Sequence, residues 1–234
     1  MWLLTRLVPV GVALLVAAIG AVSAHLLGPF YGRGDPAYVY LFNSLGLLEG
    51  MAPVHIDHPG TTVQELGAMT ILVGWLATRL VGVHQSIAES VSSHTEAYLS
   101  TINVVLIAIN AAVVAFTVRV LIRRTGRVWL WLVVPAILIT SKIVVAGWGD
   151  VSPEPLLLPI SLLMVLLALP SSHSGRRAEL MQGAAMGVLL GAGIVTKLTF
   201  APLAFLVLAL PGVRAMATAL LSALIASQIG RAHV

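Results

Sequence analysis

Long apolar stretches separated by short polar loops make up most of this chain. Residues 7–27, 99–122, 128–147, 156–169, 180–195 and 198–210 are the six clearest stretches. A helix needs about 20 apolar residues to cross the hydrocarbon layer of a membrane. The alternating pattern of a transmembrane barrel is absent from the sequence. The pattern therefore predicts an all-α fold, a polytopic transmembrane helical bundle.

Composition supports this class. Hydrophobic residues make up 59% of the 234 residues and charged residues 9%, whereas a soluble domain carries roughly a quarter charged residues. The net charge of +4 comes from loop arginines and lysines, without a nucleic-acid-binding motif, so we expect no nucleic-acid partner. There are no cysteines, which excludes disulfides and thiolate metal sites.

The first apolar stretch has two interpretations. Arg6 precedes it and Ala-Val-Ser-Ala lies near its end, as in a cleaved signal peptide. The apolar run over residues 7–27 is long for a signal core, however. We therefore expect an uncleaved anchor with its amino terminus in the cytoplasm.

Residues 61–83 form a further apolar stretch whose position depends on the arginines. If it crossed the membrane, the arginines of loop 123–127 and of the later loops would lie outside, against the positive-inside rule. If it lies along the outer surface or re-enters instead, these residues are all cytoplasmic: Arg6, Arg123, Arg124, Arg127, Arg176, Arg177 and Arg214. We choose the second topology, in which residues 28–98 and 148–155 are external.

The long external segment contains an apolar stripe that is typical of an interfacial helix. Its members recur at helical spacing and are Tyr38, Leu41, Phe42, Leu45 and Leu48. Asp35 precedes the stripe, and Gly50 and Pro53 are expected to end the helix.

The last six residues, 229–234, match the translation of a common sequencing adapter. We assign residues 1–228 to one truncated transmembrane domain and expect the native protein to continue with further helices. Residues 229–234 are expected to carry no part of the fold or function.

The external segments carry the residues that could perform chemistry. Asp35 opens the first segment, His58-Pro59 forms a turn within it, and Asp150 and Glu154 lie in the next external loop. Carboxylates and imidazoles at a membrane surface could meet a lipid phosphate. Their oxygens are ligands that Mg²⁺ or Mn²⁺ prefers, which predicts Glu154 and Asp150 as metal ligands.

This ordered set resembles the GT-C superfamily of membrane glycosyltransferases, which includes protein O-mannosyltransferases and lipid A aminoarabinose transferases. Asp35 matches the acid after the first span, His58-Pro59 the turn, Arg123-Arg124 the basic loop and Glu154 the second acid. Residues 187–197 resemble the later glycine-rich helix that ends in a lysine, here Lys197. The chain departs from the family in having Asp-Pro where an acid pair is frequent and Glu154 where Asp is commoner.

The resemblance implies transfer of a sugar from a polyprenyl-phosphate donor to a glycan, lipid or protein acceptor. The site would face the periplasm or exterior of a bacterial cytoplasmic (inner) membrane, in contact with membrane lipid. We assign the general base to Asp35, substrate or phosphate binding to His58, Lys197 and Tyr38, and a divalent metal to Glu154 and Asp150.

Each of these residues also has a structural interpretation. Asp35 before Pro36 would cap a helix, Ser152 and Glu154 would start one, and Lys197 would extend to the interface as cations near helix ends do. We interpret Trp129, Trp131 and Trp148 as interfacial anchors. The alternative functions are a transporter or lipid flippase and a non-catalytic scaffold.

Overall fold

The described part of the chain is mostly helical and contains no strand. A computed structural model describes residues 2–33, 37–52, 60–127, 129–169 and 175–231. Its α-helices are α1 (Trp2–Leu27), α2 (Ala37–Leu48), α3 (Thr61–Leu80), α4 (Ile87–Ser93), α5 (Thr95–Thr125), α6 (Leu130–Thr140), α7 (Lys142–Trp148), α8 (Glu154–Ala168), α9 (Arg176–Thr196) and α10 (Val213–Arg231). Short 3₁₀ helices cover Phe30–Gly32 and Leu198–Ala209. The predicted all-α class is confirmed.

Three helices are long and apolar enough to cross a membrane. They are Arg6–Leu27 in α1, Thr95–Thr125 and Arg176–Thr196. Most of each helix's surface is not covered by protein: Leu14 on α1, for example, is 66% exposed. Exposed apolar helix surface of this extent is what a lipid environment requires. The remaining apolar helices include Glu154–Ala168 with 15 residues and Leu198–Ala209 with 12, fewer than the about 20 needed to cross the hydrocarbon layer.

The predicted span over residues 128–147 is not one continuous helix, because the helix breaks at Ser141. Ser141 has an extended backbone, with φ −86° and ψ 107°, and its hydroxyl accepts a hydrogen bond from the amide of Val144. Serine is a favoured N-cap because its oxygen satisfies a free amide at a helix start. The stretch is therefore two helices, α6 and α7.

Helices α1 and α5 pack antiparallel. Gly20 near the end of α1 lies against Ile107 in the first half of α5, whereas Val12 clusters with Val118 and Ile122 further along α5. The chain between them, through α2, α3 and α4, consequently begins and ends at the same end of the bundle. Helix α3 packs against the first turns of α5, where Gly67 lies against Ile102 and Gly74 against Tyr98.

Helices α9 and α10 run parallel and pack closely. Glycines at four-residue spacing on α9 face alanines at the same spacing on α10, pairing Gly183 with Ala215, Gly187 with Ala219 and Gly191 with Ala223. Small residues let helix backbones approach and replace the hydrophobic driving force that is missing in lipid. Helix α10 was absent from the predicted spans.

The two ends of the bundle differ in charge. The antiparallel packing of α1, α5 and α8 gathers one set of arginines at what we call the arginine end: Arg6, Arg123, Arg124, Arg176, Arg177 and Arg214. The opposite end, which we call the acidic end, holds the start of α5, the loop between α7 and α8, and the end of α9. The candidate residues that the structure describes lie at the acidic end.

Candidate functional site

A cleft of about 530 Å³ opens at the acidic end of the bundle. Its polar lining residues are Asp150, Ser152, Glu154 and Lys197, and its apolar side includes Leu27, Ile143 and Ala146. The cleft therefore combines charged groups with a carbon-lined wall, as small-molecule sites usually do.

An ion pair between Glu154 and Lys197 lies in this cleft. Glu154 is the first residue of α8, and Lys197 separates α9 from the following 3₁₀ helix, where the backbone is extended. The Lys197 Nζ donates a hydrogen bond to Glu154 Oε1. The two side chains are 31% and 34% exposed, so both remain within reach of a ligand.

Burial and hydrogen bonding have opposite effects on the pKa of the Glu154 carboxyl. Burial alone would raise the pKa of its carboxyl, but hydrogen bonds from Lys197, the backbone and Ser152 together outweigh burial. The pKa of Glu154 is consequently held below its usual value. At neutral pH the carboxylate is therefore charged and is matched by the adjacent ammonium group.

The end of α9 is tied to the start of α3. The Gly60 amide donates to the Thr196 carbonyl at 3.2 Å, and the hydroxyls of Thr62 and Thr196 are 2.6 Å apart. Thr196 is fully buried. These bonds fix the backbone directly before Lys197 and place the start of α3 beside it.

A buried arginine holds the other side of the cleft, and sequence reasoning missed it. The Arg33 guanidinium donates to the carbonyls of Ala24, Gly28 and Gly149 and lies 3.4 Å from Asp150 Oδ1. The Cζ atom of Arg33 is 3.9 Å from the centre of the Phe30 ring. The Asp150 carboxylate also accepts from the Val151 amide at 2.8 Å. Arg33 thus joins the end of α1 to the loop that carries Asp150.

Two asparagines on α5 anchor the same loop. Asn103 donates to the carbonyls of Trp148 and Asp150 at 3.3 and 3.1 Å. Asn110, two turns along the same helix face, donates to the Pro155 carbonyl and accepts the indole N–H of Trp148 at 3.0 Å. Trp148 is 1% exposed, so its predicted role as an interfacial anchor is wrong. It is a core residue that clusters with Val16 of α1 and Val114 of α5.

Tyr38 has a different partner from the one that sequence analysis assigned. Its hydroxyl donates to Glu96 on α5, whose carboxylate also accepts the amides of Phe30 and Tyr31 at 3.0 Å each. The hydrogen bond to Glu96, with smaller contributions from burial and nearby charge, raises the pKa of Tyr38 to about 12. Tyr40, not Tyr38, lines the cleft.

Asp35 and His58 lie outside the described residues, as do His55 and Asp57. Their described neighbours in the chain lie near the cleft. Arg33 contacts Asp150, and Gly60 contacts Thr196 next to Lys197. The assignments of Asp35 as base and His58 as phosphate ligand therefore stay predictions.

The described donors of the cleft do not fit a divalent metal. Asp150 is already paired with Arg33, and Glu154 with Lys197, so their negative charges are neutralised within the protein. Within the described ranges, no group of three His, Cys, Asp or Glu side chains is close enough to hold an ion. Mg²⁺ and Mn²⁺ favour several uncommitted oxygens. The paired carboxylates of Asp150 and Glu154 therefore do not support the predicted metal site.

A second, apolar cavity of about 490 Å³ adjoins the cleft between α1 and the α6–α7 break. It shares Leu27 and Ala146 with the cleft, and most of its lining is carbon surface, with Ser23 and Lys142 as its polar lining residues. The two cavities together run from an apolar helix surface to the ion pair.

Comparisons with known proteins give no relative: no protein-family model, no curated protein and no solved structure matches the chain. The likeness to GT-C enzymes therefore depends on the motif residues alone.

Proposed function

We propose that the native protein is a GT-C type glycosyltransferase, with a GT-C-like polytopic bundle, that transfers a sugar from a polyprenyl-phosphate donor. The observation that carries the proposal is the Glu154–Lys197 ion pair in a cleft that continues into an apolar cavity. A lipid-linked phosphate needs both features, a cation for its head and carbon surface for its tail.

In this proposal Lys197 binds the donor phosphate. The phosphate would compete with Glu154 for the ammonium group, because both are anionic oxygen ligands of one cation. Lys197 would then stabilise the charge that develops on the phosphate as the sugar leaves, where electrostatic stabilisation is most effective. Arg33 is already occupied by three carbonyls and Asp150, so it would keep the cleft wall in place.

Asp35 is the proposed general base. It would take the proton of the acceptor hydroxyl while that oxygen forms a bond to the anomeric carbon. The bond between the anomeric carbon and the phosphate oxygen would break, and its electron pair would leave with the polyprenyl phosphate. His58 would contribute a hydrogen bond to the phosphate.

The proposed setting is a bacterial cytoplasmic membrane with the cleft on the outer side. The arginine end would face the cytoplasm, in accord with the positive-inside rule. Helix α3 is not among the helices long and apolar enough to span, and it lies beside the first turns of α5, at the acidic end. Both facts support an interfacial position for α3.

The test uses the full-length protein in proteoliposomes with a radiolabelled polyprenyl-phosphate sugar. Asp35→Asn is expected to abolish transfer, because the amide cannot accept the proton, while thermal unfolding stays unchanged. Glu89→Gln, at an exposed acid on α4 away from the cleft, is the control and should keep wild-type turnover. Retained turnover in Asp35→Asn would refute the base assignment.

Lys197 and Glu154 are tested separately. Lys197→Met should weaken donor binding and lower kcat by about 100-fold or more, as loss of a transition-state charge contact does. Glu154→Gln should bind the donor phosphate more tightly than wild type, since it removes the competing carboxylate. Unchanged donor affinity in both variants would remove Lys197 from the site.

The rival function is a transporter or lipid flippase. Transporter sites lie near the bilayer midplane on broken helices. In the part of the chain that the structure describes, the Arg33–Asp150 and Glu154–Lys197 ion pairs both lie at one end of the bundle. Movement of a fluorescent polyprenyl-phosphate lipid across vesicles without sugar transfer would favour the rival.

A further inference from the structure

A third cavity, of about 320 Å³, lies between α3, α4 and the start of α5, and all its lining residues are described. We call it the α3–α5 cavity. Six polar side chains line it: Thr78, Gln85, Ser90, His94, Tyr98 and Thr101. Val83 and Ala97 add carbon surface. No carboxylate, lysine or arginine is among its lining residues, which sets it apart from the cleft.

The polar groups of this cavity keep hydrogen-bonding capacity for a ligand. The hydroxyls of Thr78 and Thr101 donate to the carbonyls of Trp75 and Ala97, which leaves their oxygens able to accept. The hydroxyls of Ser90 and Tyr98 lie 2.9 Å apart, so one of them donates a hydrogen bond to the other. The hydroxyl that accepts this bond can donate its own hydrogen to a ligand oxygen.

His94 and Gln85 extend this set. The Nδ1 of His94 lies 3.2 Å from the Ser90 carbonyl, so in the tautomer that donates this bond its Nε2 is an acceptor. The backbone carbonyl of Gln85 accepts the Trp75 indole N–H at 3.0 Å, which fixes the loop and leaves the side-chain amide as donor and acceptor. The cavity lining thus combines hydrogen-bond donors and acceptors with carbon surface.

We propose that the α3–α5 cavity binds an uncharged carbohydrate, a pyranose ring that is either free or the terminal residue of a glycan. A pyranose carries hydroxyls around its edge and C–H groups on its faces, which matches neutral donors and acceptors set in carbon surface. A charged ligand would find no carboxylate, ammonium or guanidinium group among the lining residues, whereas neutral hydroxyls would find both donors and acceptors. The proposal does not depend on the proposed transfer reaction.

The cavity is separate from the cleft. Gly60, beside Thr196, and Gly74, which lines the cavity, are 14 residues apart across α3, and a helix rises 1.5 Å per residue, giving about 21 Å. A monosaccharide in the α3–α5 cavity would therefore not reach Lys197. A glycan of several residues would span the distance.

The test measures sugar binding by the whole protein in lipid nanodiscs, prepared without glucoside or maltoside detergents, whose headgroups would compete. Saturation-transfer NMR would be recorded with glucose, galactose, N-acetylglucosamine and maltose, and with glucuronate and glucosamine as charged counterparts. Titration with a longer neutral oligosaccharide distinguishes a glycan end from a free sugar by its tighter binding. Saturable binding of a neutral sugar, at least 10-fold stronger than that of its charged counterparts, is expected.

Two variants and a control locate the site. Ala97→Trp fills the cavity and should abolish the signal. Thr78→Val removes one hydroxyl at constant shape and should weaken binding by about 3- to 10-fold, the effect of one hydrogen bond. Thr70→Val, two turns earlier on α3 with the same type of hydroxyl-to-carbonyl bond, should bind as wild type.

Three results would overturn the proposal. The first is no saturable binding of any neutral sugar up to about 100 mM, far above the range of weak specific binding. The second is equal binding of charged and neutral sugars. The third is wild-type binding by Ala97→Trp in a protein that retains its thermal unfolding temperature.

Discussion

At the scale of single residues, buried polar side chains join segments that are far apart in the chain. Asn103 forms hydrogen bonds to residues that are 45 and 47 positions away in the sequence. Arg33 and Asp150 are 117 positions apart, and Tyr38 and Glu96 are 58 positions apart. A buried polar group without a partner costs about 1–3 kcal/mol. These pairs therefore hold the acidic end in one arrangement, because each alternative would leave a donor or acceptor unsatisfied.

Asn110→Ala is expected to destabilise the protein by about 1–3 kcal/mol, because it leaves the Trp148 indole N–H and the Pro155 carbonyl without their partner. Thermal unfolding in detergent measures the change. Ser100→Ala, at an exposed position on the same helix, should unfold like wild type. Equal stability of Asn110→Ala and wild type would show that the network contributes nothing.

The Tyr38 hydroxyl should ionise at a higher pH than that of an ordinary tyrosine. Because its pKa is raised to about 12, the stabilisation from its bond to Glu96 is complete below pH 10 and is lost as the pH rises through about 12. Ultraviolet absorbance of tyrosinate measures this. Tyr38→Phe should remove the component near pH 12, whereas Tyr31→Phe, 76% exposed, should leave it. A Tyr38 component that titrates near pH 10 would contradict the bond.

At the scale of elements, glycine spacing on α9 decides how closely α10 can pack. A side chain at Gly187 would meet the Ala219 backbone oxygen and the Ser222 side chain. Backbone cannot move aside as a flexible side chain can, so the two helices would have to separate. The same spacing that resembles a family motif in the sequence therefore has a packing role in the fold.

Gly187→Leu is expected to destabilise the protein by about 1–3 kcal/mol or more through this overpacking. Gly11→Leu is the matched control, because Gly11 lies on α1 with no atom within 4 Å of the added Cβ. Resistance to unfolding in sodium dodecyl sulfate compares the two. If both variants unfold alike, the α9–α10 contact is not as close as described.

At the scale of the whole molecule, the antiparallel packing of α1 and α5 gathers the arginines at one end. Positive charge on one side is the strongest determinant of orientation in a membrane. The cleft and the α3–α5 cavity both lie toward the opposite end. Orientation in the membrane would therefore decide which compartment supplies their ligands.

Single cysteines test this orientation in a chain that has none of its own. Ser92→Cys, exposed at the acidic end, should react with a membrane-impermeant maleimide in intact cells. Thr125→Cys, exposed at the arginine end, should react only after the membrane is opened. The reverse pattern would place the arginines outside and leave the proposed outer site without its location.

The sequence by itself determined the all-α class, the strongest spans and the arginine distribution, because hydropathy and loop charge report the local solvent of each segment. It also drew attention to Glu154 and Lys197, which the fold brings together. It did not predict the break at Ser141, helix α10, or the packing of Trp148, since each depends on neighbours.

Only the tertiary structure decided which polar groups meet. Arg33 and Glu96 carry no motif, and their roles arise because α1 and α5 bring residues 30–33 beside residue 96 and the 149–150 turn. The partner of a charged residue cannot be identified from the sequence alone. The hydropathy of each segment is a local property of the sequence, whereas hydrogen-bond and ion-pair partners depend on distances that only tertiary packing sets.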